Sequence, residues 1–164
     1  MGASYAKSFP IIAIDRLDDK LELARLVGAT HTVNASEVDA VEAVRQITSG
    51  GADHVFDGVG SEQVLIQAYQ ATRRGGTTIT AGLPHPERMF SIPAFSLVAE
   101  ERTVKGSYMG SCLPSRDIPQ YIEMHLKGML PIDRLRTHSI KLDEINIGFD
   151  RLAEGKAVRQ VIEF

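Results

Sequence analysis

The feature that most constrains the fold is a short apolar run that ends on an acid. Residues 11–14 read Ile-Ile-Ala-Ile, and Asp15 follows directly. Such a run is too short for an ordinary helix, and branched side chains suit a strand that is buried on both faces. The run therefore predicts a parallel strand with Asp15 at its carboxyl end.

Strand-like and helix-like segments alternate after this strand. Parallel strands joined by helices need right-handed crossovers, which place helices on both faces of the sheet. The alternation thus predicts an α/β fold with an open, doubly wound parallel sheet. The predicted strands are 30–34, 53–57, 77–83, 89–92 and 102–108; the predicted helices are 17–27, a segment that begins with a Ser36 and Asp39 capping pair, a segment between Ser61 and Gly75, and 95–100.

The pattern changes after Gly110. Helical spacing predicts helices over 117–130 and 143–153, and apolar runs predict strands over 137–142 and 159–164. We expect this carboxyl-terminal α+β segment to form a separate layer.

Composition excludes several classes of partner. The net charge is -3, and no basic stripe is interleaved with aromatic residues, so we expect no nucleic acid. No apolar run is long enough to span a bilayer, so we expect no membrane span. A single cysteine excludes an internal disulfide, and the amino terminus lacks a signal-peptide pattern. We therefore expect a cytoplasmic protein.

Asp15 is the first candidate functional residue. An acid at the carboxyl end of such a strand lies where doubly wound sheets bind dinucleotides, and it can accept both ribose hydroxyl hydrogens of an adenosine. The alternative is that Asp15 only caps the helix that begins near residue 17. The residues alone leave both interpretations open.

Several segments occur in the order and spacing of one protein family. The segments are 11–15, 27–30, 56–60, 102–107, 148–150 and 155–159. With them the chain resembles, over nearly all its residues, the carboxyl-terminal part of zinc-dependent, medium-chain alcohol dehydrogenases. The resemblance implies a Rossmann-like dinucleotide-binding domain over 1–108 and, over 109–164, a segment that in the family folds onto the catalytic domain.

The resemblance implies an NAD site with an adenosine side. Asp15 and Lys20 match residues that contact the adenosine ribose. Val59 matches a residue that packs near that ribose, and Gly60 matches a close backbone approach. Arg159 matches an arginine that pairs with the pyrophosphate, a role that suits its forked guanidinium.

The resemblance also implies a nicotinamide side. Ala81 and Leu83 match positions whose backbone meets the nicotinamide carboxamide, and Ser107 and Met109 match further backbone contacts to that amide. The family oxidises an alcohol to an aldehyde or ketone by transferring hydride to NAD. Its members join two cofactor domains through a strand that residues 89–93 match, so we expect a homodimer through that segment.

Two parts of the family pattern are absent from the sequence. The first strand, with its Gly-x-Gly-x-x-Gly turn, would come just before Met1, and the domain that carries the cysteine and histidine zinc ligands is also missing. Cys112 and the histidines have no metal-ligand spacing. We therefore expect a truncated chain that binds no zinc, binds NAD weakly or not at all, and is inactive alone.

The missing strand has a consequence for pairing. Without it, the strands that begin near residues 11 and 53 keep unpaired edges, and the strands at 137 and 159 lose their partners as well.

Two alternative functions remain open. One is the zinc-free quinone or enoyl reductase branch, which uses NADPH; Asp15 would repel a ribose phosphate, whereas Arg16 beside it would attract one. The other is a non-catalytic nucleotide-binding or dimerisation module.

Overall fold

The structure is a computed structural model that describes residues 1–164. Helices and strands alternate along most of the chain. The elements are α1 (Gly2–Tyr5), β1 (Ile12–Asp15), α2 (Asp18–Leu26), β2 (His31–Asn34), α3 (Ala40–Thr48), β3 (Ala52–Asp57), α4 (Glu62–Ala71), β4 (Thr72–Thr80), α5 (Ala94–Ala99), β5 (Thr103–Gly106), α6 (Pro114–Leu126), β6 (Arg136–Ile140), α7 (Ile145–Ala153) and β7 (Arg159–Ile162).

The strands form three separate sheets in which every pair is parallel. β1 pairs with β2 in the first sheet. The second sheet has three strands in the order β3, β4, β5, and in the third sheet β6 pairs with β7. The parallel α/β class is confirmed, and β1 and β3 each keep one unpaired edge as expected. The expectation that the last two strands would lack partners is wrong, because β6 and β7 pair with each other.

The most deeply buried side chains lie where α4 meets β4. Tyr69, Thr72 and Thr78 are almost fully enclosed. The Thr72 hydroxyl donates to the Ala68 carbonyl at 2.8 Å and lies 2.7 Å from the Thr78 hydroxyl. Both buried hydroxyl groups therefore have a hydrogen-bond partner within the chain. The most enclosed part of the core therefore lies between α4 and β4, and further buried apolar residues lie on α2, β2 and α3.

The start of α3 differs from the expected capping pair. Asp39 is the capping residue, since its carboxylate accepts the Glu42 backbone N–H at 2.9 Å. The Ser36 hydroxyl instead donates a hydrogen bond to the Arg16 carbonyl at 3.2 Å. The spacing rule located the helix and misplaced its first residue by three positions.

β4 begins at Thr72, earlier than the predicted residue 77. Thr72 already pairs with Ala52 of β3, and the register shifts between Ala52 and His54. This irregularity requires a glycine at position 76, where a Cβ atom would lie 2.7 Å from Thr72 Cγ2 and 2.9 Å from the Arg73 carbonyl oxygen. Gly76 is therefore part of the strand rather than a stop before it.

Two further boundaries differ from the prediction. Residues 88–93 form neither a helix nor a strand within the chain, so the predicted strand over 89–92 is absent from the single chain. α6 begins at Pro114, a residue that suits the first turn of a helix, and ends at Leu126, shortly before Gly128 adopts a φ of 72°. None of the helices combines the length and apolar character that crossing a bilayer requires.

Candidate cofactor-binding site

Asp57 ties together the carboxyl ends of β3 and β4. Its side chain accepts the Val59 N–H at 2.9 Å and the Thr80 hydroxyl at 2.9 Å. Its backbone carbonyl accepts the N–H groups of Ala81 and Gly82 at 2.8 and 3.2 Å. Because the residue is only 3% exposed, these bonds fix the paths of both loops that leave the strands.

The two loops touch through glycine backbones. A Cβ atom on Gly82 would lie 2.1 Å from the backbone nitrogen of Gly60, and one on Gly60 would lie 3.0 Å from the backbone nitrogen of Leu83. Gly60 also has a φ of 79°, which side chains disfavour. Four predicted site residues, Val59, Gly60, Ala81 and Leu83, are therefore brought together here.

The end of β5 lies beside this pair of loops. The Ser107 N–H donates to the Thr80 carbonyl at 2.8 Å, so Ser107 continues the sheet edge next to Ala81. Met109 follows in a short 3-10 turn, with a φ of 48° and an exposed side chain. The backbone around Met109 is thus held in a left-handed turn at the same end of the sheet.

Asp15 lies at the carboxyl end of β1, as predicted. Its Oδ1 accepts the N–H groups of Arg16 and Leu17 at 2.7 and 3.1 Å, which bends the chain into α2. Its Oδ2 has no hydrogen-bond partner within the chain and is available to a ligand. Arg16 is exposed, and Lys20 lies half-buried in the first turns of α2.

The carboxyl-terminal segment contacts this corner of the molecule. A Cβ atom on Gly155 would lie 3.0 Å from Cδ1 of Leu17, and Arg134 donates a hydrogen bond to the carbonyl of Leu26. Arg159 begins β7 and is exposed; its Nη1 donates to the Val158 carbonyl at 2.7 Å, and no carboxylate pairs with it. Its guanidinium therefore keeps donors free for an anion.

Eight of the ten predicted site residues fall into two groups. Val59, Gly60, Ala81, Leu83 and Ser107 share one network around Asp57, whereas Asp15, Arg16 and Lys20 share one strand-to-helix turn. Asp57 itself was not singled out in the sequence. The signal was present, because an acid that ends a buried strand just before Gly58 repeats the pattern of Asp15 at the end of the first strand.

The side chains that could bind a metal ion do not fit a zinc site. No three side chains among the histidines, acids and Cys112 cluster closely enough to hold a metal ion. Structural and catalytic zinc sites need three or four such ligands.

A comparison with protein families decides the family. The family model described as zinc-binding dehydrogenase matches residues 1–127. The chain belongs to the zinc-binding dehydrogenase family.

Curated relatives agree with this assignment. Alcohol dehydrogenase 1 of Pisum sativum is 30% identical over 99% of this chain, and S-(hydroxymethyl)glutathione dehydrogenase of Haemophilus influenzae is 36% identical over 99%. The matches cover 43% and 44% of those two proteins. The chain therefore spans less than half the length of these curated relatives.

A solved structure has the same fold over nearly the whole chain. Benzyl alcohol dehydrogenase from Acinetobacter calcoaceticus superposes with a TM-score of 0.91 at 29% identity. The match covers 96% of this chain and 43% of that one.

Proposed function

We propose that this chain is the NAD-binding part of an alcohol dehydrogenase, and that the complete enzyme oxidises an alcohol to an aldehyde or ketone. The observation that carries the proposal is the free Oδ2 of Asp15 at the carboxyl end of a parallel strand, in a member of the zinc-binding dehydrogenase family. A carboxylate oxygen at that point suits the two hydroxyl groups of an adenosine ribose.

The adenosine side of NAD would be held by residues around the start of α2 and by Arg159 at the start of β7. Asp15 would accept the ribose hydrogens, and Lys20 would contact the same ribose. Arg159, whose guanidinium has no carboxylate partner, would pair with the pyrophosphate. Val59 and Gly60, which belong to the network around Asp57, would border the ribose from the other side.

The nicotinamide side would be held by backbone groups. The N–H and C=O of Leu83 have no partner within the chain, so they are free to bond a carboxamide. Ala81, Ser107 and Met109 would supply the other contacts, and Asp57 would hold these loops in place. A nicotinamide held there would supply a hydride acceptor for the alcohol carbon in the complete enzyme.

Arg16 provides the one observation that favours a different cofactor. Arg16 is exposed and directly follows Asp15 in the sequence, and a cation at this turn would attract the extra phosphate of NADP. The Asp15 carboxylate opposes this by repulsion. We propose NAD as the preferred cofactor, and the experiment below separates the two.

We also propose a homodimer formed through residues 89–93. Met89 is 87% exposed, and the segment has no strand partner in its own chain. Unpaired backbone next to an exposed apolar side chain suits pairing with a second copy.

Two further proposals concern the location and the domain boundary. The single cysteine supports a reducing location such as the cytoplasm. We place the boundary between the cofactor domain and the carboxyl-terminal segment between residues 108 and 109.

The test is a titration of the isotope-labelled chain with NAD and NADP, followed by amide NMR shifts. We expect weak binding of NAD that moves the amides of residues 15–20, 57–60 and 81–83. Asp15→Asn should weaken NAD binding by about tenfold, because it removes a charge-assisted hydrogen bond, and should narrow the preference for NAD over NADP.

Asp19→Asn is the matched control, since Asp19 is exposed and contacts only the N–H of Lys20. It should leave NAD binding unchanged. A stronger response to NADP than to NAD would favour the reductase alternative. Identical NAD affinity in the chain and in Asp15→Asn would contradict the assigned role of Asp15.

A further inference from the structure

A groove lined by arginines lies at the end of the sheet opposite the candidate cofactor site. It encloses about 450 Å³, and none of its nine lining residues is hydrophobic. Four of them are Arg45, Arg73, Arg74 and Arg102. Because β3, β4 and β5 are parallel, the segments that lead into them meet at this edge.

The topology gathers these arginines from three distant parts of the chain. Arg45 lies in the last turn of α3, Arg73 and Arg74 lie at the start of β4, and Arg102 precedes β5. Gly51 allows the turn after α3 to approach β4 closely, since a Cβ atom there would lie 2.7 Å from the Arg73 backbone nitrogen. The groove is therefore a product of the fold.

Carboxylates neutralise only half of the positive charge. Asp53 pairs with Arg73 at 2.6 Å, and Glu100, which also lines the groove, pairs with Arg102 at 2.8 Å. No carboxylate pairs with Arg45 or Arg74. The groove thus keeps two guanidinium groups in excess, in a protein whose net charge is -3.

The two uncompensated arginines differ in how they are held. Arg45 is anchored, because its Nη2 donates to the Gln70 carbonyl at 2.9 Å, which leaves its other donors free. The Arg74 side chain makes no hydrogen bond within the chain, whereas its carbonyl accepts from Arg73 Nη1 at 2.8 Å. One fixed fork and one free fork can bind two edges of a tetrahedral anion.

We propose that this groove binds the phosphate group of a small molecule. A phosphate monoester carries close to two negative charges at neutral pH, which match the two unpaired guanidinium groups. The volume is in the range of small-molecule sites, and the polar lining disfavours an apolar ligand. The site is separate from Asp15 and Arg159, so it does not depend on the proposed cofactor function.

The test is amide NMR and calorimetric titration of the chain with inorganic phosphate and, in a second arm, with glycerol phosphate. Ionic strength is held constant with KCl, because salt screens exposed charges. We expect saturable shifts at residues 45–51 and 73–75. Arg45→Gln and Arg74→Gln should each weaken binding by about tenfold or more.

Arg88→Gln is the matched control, because Arg88 is an exposed arginine outside the groove that pairs with Glu62 at 3.2 Å. It should leave the affinity unchanged. Tighter binding of glycerol phosphate than of inorganic phosphate would assign the site to a phosphate ester, and the reverse would assign it to free phosphate. The proposal is wrong if neither anion gives saturable shifts, or if binding weakens only in Arg159→Gln.

Discussion

The region where α4 packs on β4 and the helix α6 expose their apolar side chains to very different extents. In the first region Tyr69 is 2% exposed and lies in a closed environment with Thr72 and Thr78. In the second, Leu126 on α6 is 79% exposed, and Ile118 and Ile122 on the same face are also exposed. The comparison teaches that a helical apolar pattern does not ensure burial, because a helix buries its stripe only where another element covers it.

The largest effect is expected from truncating a buried tyrosine. Tyr69→Ala should lower the free energy of unfolding by about 3–5 kcal/mol, the cost of emptying a core aromatic site. It also removes the hydroxyl contact with Ser96 at 2.8 Å and the ring that faces the Arg102 guanidinium at 4.8 Å. Urea unfolding followed by circular dichroism measures the change.

Tyr121→Ala on α6 is the matched control, since Tyr121 is 45% exposed. Its cost should stay below about 1 kcal/mol, as for surface substitutions. Equal losses for the two variants would break the contrast between the regions. Tyr69→Phe, which keeps the ring, should cost only about 0.5–1.5 kcal/mol for the lost hydroxyl bond.

The second prediction concerns the exposed segment 89–93. Met89→Lys should convert the proposed dimer into a monomer, because burying an unpaired ammonium at the pairing segment is costly. Light scattering coupled to gel filtration at micromolar concentration measures the mass. Leu126→Lys is the control, since it adds the same charge to an equally exposed apolar site elsewhere and should leave the dimer intact. A monomer in the unsubstituted chain would refute the proposal.

The smallest effect is expected at the start of α6. The hydrogen bond from the Arg116 guanidinium, helped by the Leu113 N–H, lowers the pKa of Asp117 below its usual value. A carboxyl whose pKa is lower in the folded state stabilises the fold above its unfolded pKa of about 3.9, and this contribution is lost as pH falls through the folded value. Asp117→Asn should therefore destabilise the chain at neutral pH and have less effect in acid.

The measurement for Asp117 is the urea midpoint at neutral pH and at about pH 3. Asp150→Asn, an exposed position on α7, is the control and should show no such change. A destabilisation by Asp117→Asn that is the same at both pH values would mean that the carboxylate charge has no part in the effect.

The sequence allowed much of the fold to be predicted, because each part of it is encoded locally. The strand at residues 11–14 and the helix from about residue 17 follow from run length and helical spacing, and both are present as β1 and α2. The parallel class follows from their alternation. The errors lie where residues far apart in the sequence determine the structure. β4 extends back to Thr72 because Thr72 pairs with Ala52, whereas Gly75 and Gly76 suggest in the sequence that the strand begins only after them.

The candidate site likewise contains residues that the local sequence reveals and residues whose role depends on distant parts of the chain. Asp15 could be found from its place at the end of an apolar run, whereas the role of Asp57 depends on Thr80, the last residue of β4, and on Ala81 directly after it. The arginine groove could not be found from the sequence. Arg45 and Arg102 lie 57 positions apart by their numbers, and only the parallel pairing of three strands brings their segments together.

The separation between β1–β2 and the sheet of β3, β4 and β5 affects how the molecule opens. No backbone ladder joins the two sheets, and they are connected through the packing of α3 on α4, β2 and β3. Such a junction, with no strand pairing across it, favours separate opening of the two sheets. We therefore expect the amides of β1 and β2 to exchange their hydrogens with solvent through a local opening, at a lower free energy than those of β4, which lies between two strands.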